Sequence, residues 1–159
     1  PGSGAQGDGD QIQDRLDQIK SDLSNEISKG LAEVERVGDE IVIRLANQGS
    51  FVSGSANLQS GFMPLLRKVG GTVFEGGGSV RVEGHTDNVP IAFSDRFISN
   101  WDLSAARAAS VASFFSESVG VDMARMKVAG FADTKPQDTN DTPAGRAVNR
   151  RIEIIVGEG

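Results

Sequence analysis

Cysteine is absent from the chain, and this absence excludes disulfides, thiol nucleophiles and thiolate metal sites. The 159 residues contain one histidine, His85, so a catalytic zinc would lack the nitrogen ligands that it normally takes. No apolar run approaches the roughly 18 residues that a membrane-spanning helix needs. Basic residues are not clustered as they are in nucleic-acid binders. We therefore expect a globular domain without metal or other cofactors and without nucleic acid as a partner.

The formal net charge of −6 belongs to the N-terminal segment. Residues 1–40 carry ten acidic and four basic side chains, which gives −6, whereas residues 41–159 carry twelve of each. Glycine-rich residues 1–10 predict a flexible lead, and a helical period follows over residues 11–29. The apolar positions of this amphipathic helix form a stripe as narrow as a coiled-coil seam: Ile12, Leu16, Ile19, Leu23 and Ile27. The helix either docks on its own domain or is a connector that pairs with another chain or changes position during function.

The rest of the chain predicts alternating strands and helices. A hairpin is expected over 34–45 with its turn at Gly38-Asp39. A helix is expected over 57–70, where Pro64 requires a kink or a later start. The further expected elements are strand 79–87, loop 88–101, helix 103–119 ended by Gly120, strand 127–131, helical turn 143–149 and strand 151–156. This order predicts an α+β fold, a mixed β-sheet with helices packed on one face.

One arginine falls on the apolar side of its helix. On a helical wheel, Arg107 lies inside the stripe formed by Leu103, Val111 and Phe114. A buried guanidinium needs an anion or an opening to a pocket, and Asp87, at the end of the strand expected beneath this helix, is a candidate partner. The aspartate would bind an ammonium and the arginine a carboxylate. Together they match the head group of an amino acid, with a structural salt bridge as the alternative.

Other polar residues allow plainer interpretations. His85 lacks a nucleophile in a suitable context and is expected to hydrogen-bond a loop. Arg150 and Arg151 precede an apolar strand and are either a solvated edge or a second anion contact beside Arg107. Asn100 and Asp102 are N-cap candidates, so capping explains them without a ligand.

Four motifs in order give the chain a family resemblance. They are Gly84-His85-Thr86-Asp87, Asn100-x-x-Leu103-Ser104-x-x-Arg107-Ala108, Gly130 to Pro136, and Gly145-Arg146-x-x-Asn149-Arg150-Arg151. Each motif alone is weak, but their order resembles the OmpA-like peptidoglycan-binding domain. The resemblance covers residues 31–159 and leaves residues 1–30 as a lead and linker helix.

The resemblance implies a non-enzymatic domain that binds the peptide stem of peptidoglycan, mainly its diaminopimelate residue. In the family, the aspartate of the first motif meets the ammonium of this residue and the arginine of the second meets its carboxylate. These positions correspond to Asp87 and Arg107. The positions expected around the pocket are Thr86, Asn100, Leu103 and Arg151.

The loop between the first two motifs narrows the resemblance. Asn88-Val89-Pro90-Ile91 opens a longer connection than outer-membrane members usually have, and this version is similar to the periplasmic C-terminal region of flagellar stator B subunits (MotB and PomB). That similarity implies a periplasmic domain of an inner-membrane protein that anchors an ion-driven stator to the wall. It also implies a homodimer and a stator A subunit as partner through a transmembrane part. The helix over 11–29 would then pack on the domain or its dimer mate and rearrange during stator assembly.

The sequence leaves two other functions open. The chain could be another wall-binding member of the family, such as an outer-membrane protein or lipoprotein domain. It could also be a wall-modifying hydrolase that uses Glu83 and Asp87 as paired carboxylates. These residues are four apart on a strand, so roughly 13 Å separates their backbones, which is wide for either glycosidase geometry.

Overall fold

The computed structural model describes residues 3–47, 49–91 and 96–157. The N-terminal elements are α1 (Ser3–Asp22), α2 (Ser24–Ser28), β1 (Ala32–Val37) and β2 (Glu40–Ala46). The central elements are α3 (Met63–Val73), β3 (Val80–His85) and α4 (Asn100–Phe114), and the C-terminal ones are β4 (Met126–Gly130), α5 (Pro143–Asn149) and β5 (Arg151–Val156). None of the helices in these three ranges is both long and apolar enough to cross a bilayer.

The strands form one five-stranded sheet in the order β1-β2-β5-β3-β4. The β3–β4 pair is parallel and the other neighbours are antiparallel, so the predicted mixed sheet is confirmed. The predicted hairpin is confirmed as well, since Val37 pairs with Glu40 across the turn. Gly38 takes a φ of 61° there, a left-handed conformation that costs glycine little.

Helices α1, α3 and α4 share a hydrophobic core with one face of the sheet. On the strands, alternate residues point to this core, as the period of two requires. The fully buried members include Leu45, Val82, Ile152 and Ile154 from the sheet, with Ile19, Leu66, Val111 and Phe115 from the helical layer. The opposite face carries a row of charged side chains.

The N-terminal helix differs from its prediction in both length and start. Helix α1 begins at Ser3 rather than at residue 11, so the expected flexible lead is replaced by helix from Ser3 onward, while residues 1 and 2 lie outside the described ranges. Extending an existing helix costs less than nucleating one. The helix can therefore reach back from residue 11 into the glycine-rich segment. Ile12, Leu16 and Ile19 are buried in the core, so this helix docks on its own domain.

The starts of α3 and α4 are set by a proline and by a capping serine, respectively. Helix α3 begins at Met63, later than expected, because Pro64 is tolerated in the first turn, where its missing N–H needs no partner. Helix α4 begins at Asn100 because Ser99, rather than Asn100, is the N-cap. Asp102 completes a capping box by accepting the Ser99 amide at 2.7 Å. Asn100 is therefore free to use its side chain elsewhere.

Candidate functional site

Two glycines let α4 lie directly on β3 and β4. A Cβ atom on Gly84 would overlap the backbone of Ser104, and one on Gly130 would overlap the backbone of Ala105. The Ser104 hydroxyl fills the contact by accepting the Ala132 amide at 3.1 Å. This close approach brings the N-terminal half of α4 to the end of β3, where Thr86 and Asp87 follow the strand.

A cavity of about 540 Å³ opens between the end of β3, the start of α4 and the loop after β2. Five of the six residues expected around a ligand line it: Thr86, Asp87, Asn100, Leu103 and Arg107. The other lining residues are Asn47, Gly49, Phe51, Ser53, Gly54, Gln59, Val89, Ile91 and Arg150. The sixth expected residue, Arg151, does not line the cavity.

Asp87 is buried in the wall of this cavity and has partners for both carboxylate oxygens. Its Oδ2 accepts a hydrogen bond from Arg150 Nη1 at 2.6 Å, and its Oδ1 accepts the amide of Val89 at 2.9 Å. Asn100 donates to the backbone carbonyls of Asp87 and Val89, at 3.4 and 2.9 Å. Thr86 donates its hydroxyl to the Asp87 carbonyl at 2.8 Å. Asn100 and Thr86 thus fix the backbone that presents the carboxylate.

Arg107 is 8% exposed and has no carboxylate within ion-pair distance among the residues that the structure describes. Its Nε donates to the carbonyl of Ser55 at 2.8 Å, and its guanidinium lies 4.9 Å from the centre of the Phe51 ring. Burial lowers the pKa of Arg107 from its ordinary value, and the charge of Arg150 lowers it further, yet an arginine stays charged. The structure therefore leaves a buried cation facing a cavity, and the expected Asp87–Arg107 pair does not form.

Arg150 and Arg151 have different surroundings although they are adjacent. Arg150 is the residue that reaches Asp87, whereas Arg151 is 3% exposed and donates to Glu153 at 2.6 Å and to the Lys135 carbonyl at 2.9 Å. The alternation of side chains along β5 could have predicted this difference from the sequence. Ile152 points to the core, so its neighbour Arg151 must point to the opposite face.

That opposite face holds a buried charged cluster below the cavity end of the sheet. Glu83 and Glu153 pair across the strands, and each accepts an arginine hydrogen bond at 2.6 Å, from Arg81 and Arg151 respectively. His85 Nε2 lies 3.2 Å from Glu83. Burial acts to raise the pKa of Glu83, but hydrogen bonds from His85 and Arg81 and the Arg81 charge outweigh it, so this pKa lies below its usual range.

The geometry of this cluster bears on two questions: whether it could hold a metal ion, and whether Glu83 and Asp87 could act as paired catalytic carboxylates. Glu83, His85 and Glu153 have ligand atoms within 4.8 Å of one another, as a metal site would. Arginines already neutralise both carboxylates, so a divalent cation would add charge where positive charge is plentiful. Glu83 points into this cluster while Asp87 lines the cavity, so the two do not face one substrate as glycosidase carboxylates must.

Comparison with known sequences gives one family and several relatives. A sequence profile of the OmpA family matches residues 50–150. Motility protein B of Bacillus subtilis (strain 168) is 29% identical over 149 residues, which cover 91% of this chain and 57% of that protein. The chain spans less than two thirds of the length of the first curated relatives it matches.

Two solved structures share the fold over most of the chain. The cell wall anchor of the T6SS from Pseudomonas aeruginosa has a TM-score of 0.82 and 38% identity, with 89% of this chain and 97% of that chain covered. A MotB-like protein from Desulfovibrio vulgaris has a TM-score of 0.87 at 22% identity, with 94% and 96% covered. The second likeness concerns the fold alone.

Proposed function

The chain belongs to the OmpA family, and we propose that it is a non-enzymatic domain that binds peptidoglycan in the periplasm. One observation carries the proposal: a buried Asp87 and a buried Arg107, for which the described residues supply no carboxylate, line the same cavity. A guanidinium binds a carboxylate through a bidentate pair, and a carboxylate binds an ammonium. The ligand that meets both is the zwitterionic end of an amino acid, for which diaminopimelate of the stem peptide is our candidate.

The charges of the cavity favour a ligand with excess negative charge. Among the described residues that line the cavity, Arg107 and Arg150 bring two positive charges against the one negative charge of Asp87. A stem peptide has more carboxylates than ammonium groups, so it complements this balance. Because Arg150 already holds Oδ2 of Asp87, the ligand ammonium must share that oxygen or displace the arginine. Thr86, Asn100 and Leu103 shape the cavity around these charges, while Arg151 supports the sheet behind it.

The proposed cellular role is to anchor a flagellar stator to the wall. The support is the similarity of nearly the whole chain to a motility protein B. In this role the domain, residues 31–159, belongs to a dimeric inner-membrane protein that works with a stator A subunit, and residues 1–30 form its linker. A second candidate is an anchor for a T6SS, which the higher identity to the Pseudomonas aeruginosa anchor favours.

The binding proposal is tested by co-sedimentation of the purified chain with wall sacculi. Arg107→Ala and Asp87→Ala should each lose pelleting while keeping a cooperative thermal transition. Arg67→Ala is the matched control, because Arg67 also lies over a phenylalanine ring, Phe114, but outside the cavity. Undiminished pelleting of both cavity variants would refute the site, and unfolding of Arg107→Ala would favour a structural role.

The cellular role is tested by gene deletion in the parent organism. Loss of swimming with intact filaments, restored by the wild-type gene but not by the Arg107→Ala allele, is expected for a stator anchor. Normal swimming with lost T6SS secretion would establish the second candidate instead.

A further inference from the structure

One buried polar side chain of the cavity is not used by the proposed binding mode. Asn47 follows β2, lines the cavity and is 7% exposed. Its Oδ1 is buried and accepts no hydrogen bond from the residues that the structure describes. A buried acceptor without a donor costs stability, because it has lost its water and gained nothing in exchange. Most buried polar groups in native proteins are paired, so an unpaired one in a binding cavity indicates a contact that a ligand completes.

The backbone that carries this side chain is held at both of its polar groups. The Asn47 amide donates to the Arg150 carbonyl at 3.0 Å, and the Asn47 carbonyl accepts the Ser50 amide at 2.9 Å. Ser50 is fixed in turn, because its hydroxyl donates to the Ala46 carbonyl at 2.6 Å and its carbonyl accepts the Gln59 amide at 2.9 Å. A side chain on a backbone held in this way needs little ordering when a ligand binds. The unpaired Oδ1 is therefore a preorganised acceptor.

Hydrogen bonds connect Asn47 to the Asp87 side of the cavity. Asn47 is bonded to the backbone of Arg150, and the guanidinium of Arg150 holds Oδ2 of Asp87. Oδ1 of Asp87 accepts the Val89 amide, so both carboxylate oxygens already have a donor. An ammonium group brings three N–H donors. It therefore needs an acceptor besides Asp87, and the unpaired Oδ1 of Asn47 lines the same cavity.

We propose that Asn47 is a further ligand-binding residue, whose Oδ1 accepts a hydrogen bond from the ammonium group that Asp87 binds; the inference rests on the proposed function. The ligand supplies the donor that Asn47 lacks. The carboxylate that pairs with Arg107 cannot do so, because an ionised carboxylate only accepts hydrogen bonds. A free ammonium, which is charged and has three donors, suits the pair of Asp87 and Asn47 better than an amide nitrogen does. Asn47 is thus a specificity residue for a ligand with a free amino group.

Binding of a diaminopimelate tripeptide to the full chain, measured by calorimetry, is the first test. Asn47→Ala should weaken this binding about tenfold or more, because a hydrogen bond from a charged donor is lost. Its free energy of unfolding in urea should not fall, since the unpaired acceptor is removed with the side chain. Asn57→Ala is the matched control, because Asn57 is exposed and lines a separate groove beside α4, and it should bind as the wild type does. Undiminished affinity of Asn47→Ala would overturn the proposal.

A ligand without the ammonium group provides the second arm. The same tripeptide with aminopimelate in place of diaminopimelate keeps both carboxylates of that residue and lacks its free amino group. The wild type should bind this peptide more weakly than the parent, and Asn47→Ala should bind it as the wild type does. NMR titration follows such weak binding into the millimolar range. An equal fold-loss for the two peptides in Asn47→Ala would mean that Asn47 meets a peptide N–H instead, and would overturn the proposal.

The wild type supplies a readout that does not depend on a folded variant. The side-chain amide signal of Asn47 in heteronuclear NMR spectra should move when the diaminopimelate peptide binds and stay in place with the aminopimelate peptide. A signal that stays in place at saturation with the parent peptide would overturn the proposal, while leaving the proposed function intact. Failure of the wild type to bind the parent peptide in either measurement would instead refute the proposed function itself.

Discussion

Arg150 Nη1 lies 2.6 Å from Oδ2 of Asp87, the carboxylate that the sequence offers as a candidate partner of Arg107. Within the described ranges, the partners of the buried Arg107 are the Ser55 carbonyl and the Phe51 ring. A protein gains little stability from a buried cation without a counter-ion. Because the described part of the chain supplies no anion for Arg107, the arrangement is understandable if a ligand supplies one.

Replacing Arg107 should therefore separate stability from binding. Arg107→Met keeps an unbranched apolar side chain and removes the buried charge. The free energy of unfolding should change by less than about 1 kcal/mol, because the relief of desolvation offsets the lost hydrogen bond and ring contact. Urea denaturation measures this change, and sacculus pelleting should be lost in the same variant.

Arg151→Met is the control for that variant. Arg151 is buried like Arg107 but donates to the Glu153 carboxylate at 2.6 Å. Its removal leaves a buried carboxylate short of a partner and should cost about 3 kcal/mol or more. Equal losses in the two variants would show that Arg107 is a structural residue.

Gly84→Ala should destabilise the fold by displacing α4. The new methyl group would overlap the backbone of Ser104, and overpacking of this kind costs about 1–3 kcal/mol. Gly71→Ala is a matched control, because Gly71 lies exposed in α3 with open space around its Cα. That substitution should raise stability by about 0.5–1 kcal/mol, since alanine is the better helix former. Thermal denaturation compares them, and an unchanged transition in Gly84→Ala would contradict the close packing.

Glu83 should make stability fall in acid. Its pKa is lowered in the folded protein, so its contribution is complete above the unfolded value of about 4.3 and is lost as pH falls through the folded value. Glu83→Gln should therefore lose less stability than the wild type between about pH 5 and 3. Urea midpoints across this range measure the slope. Glu117→Gln, an exposed change, should follow the wild type, and parallel curves for Glu83→Gln would contradict the prediction.

The fold was predictable because its signals are periodic. Alternation in the strands, Gly38-Asp39 and Gly120 gave the element order, and the family expected from four ordered motifs is confirmed. The wheel singled out Arg107 because burial follows helical period. The Asp87–Arg150 pair could not be predicted from the sequence, because the two residues are 63 positions apart and only the folded sheet brings them together. The contacts that Phe51 and Ser55 make with Arg107 could not be predicted for the same reason.

The sequence leaves open whether α1 docks on its own domain, and the structure shows that it does. Ile19 has no exposed surface, and Arg15 of the same helix donates to the carbonyls of Val73 and Gly77 at 2.6 and 3.0 Å. Ile19→Ala should lower the free energy of unfolding by about 2–4 kcal/mol, the cost of emptying a packed apolar site. Chemical denaturation of the full chain measures this loss.

Gln18→Ala supplies the comparison within the same helix. Gln18 is exposed, and its one hydrogen-bond partner within the described ranges is Asp22, so its replacement should cost less than about 0.5 kcal/mol. Hydrogen exchange adds an independent readout, because amides of residues 12–22 should be protected nearly as long as those of β5 if the helix folds with the domain. Rapid exchange there, together with a negligible effect of Ile19→Ala, would mean that α1 stands away from the domain in solution. The linker would then already be released before any wall contact, and a docked resting state would have to be abandoned.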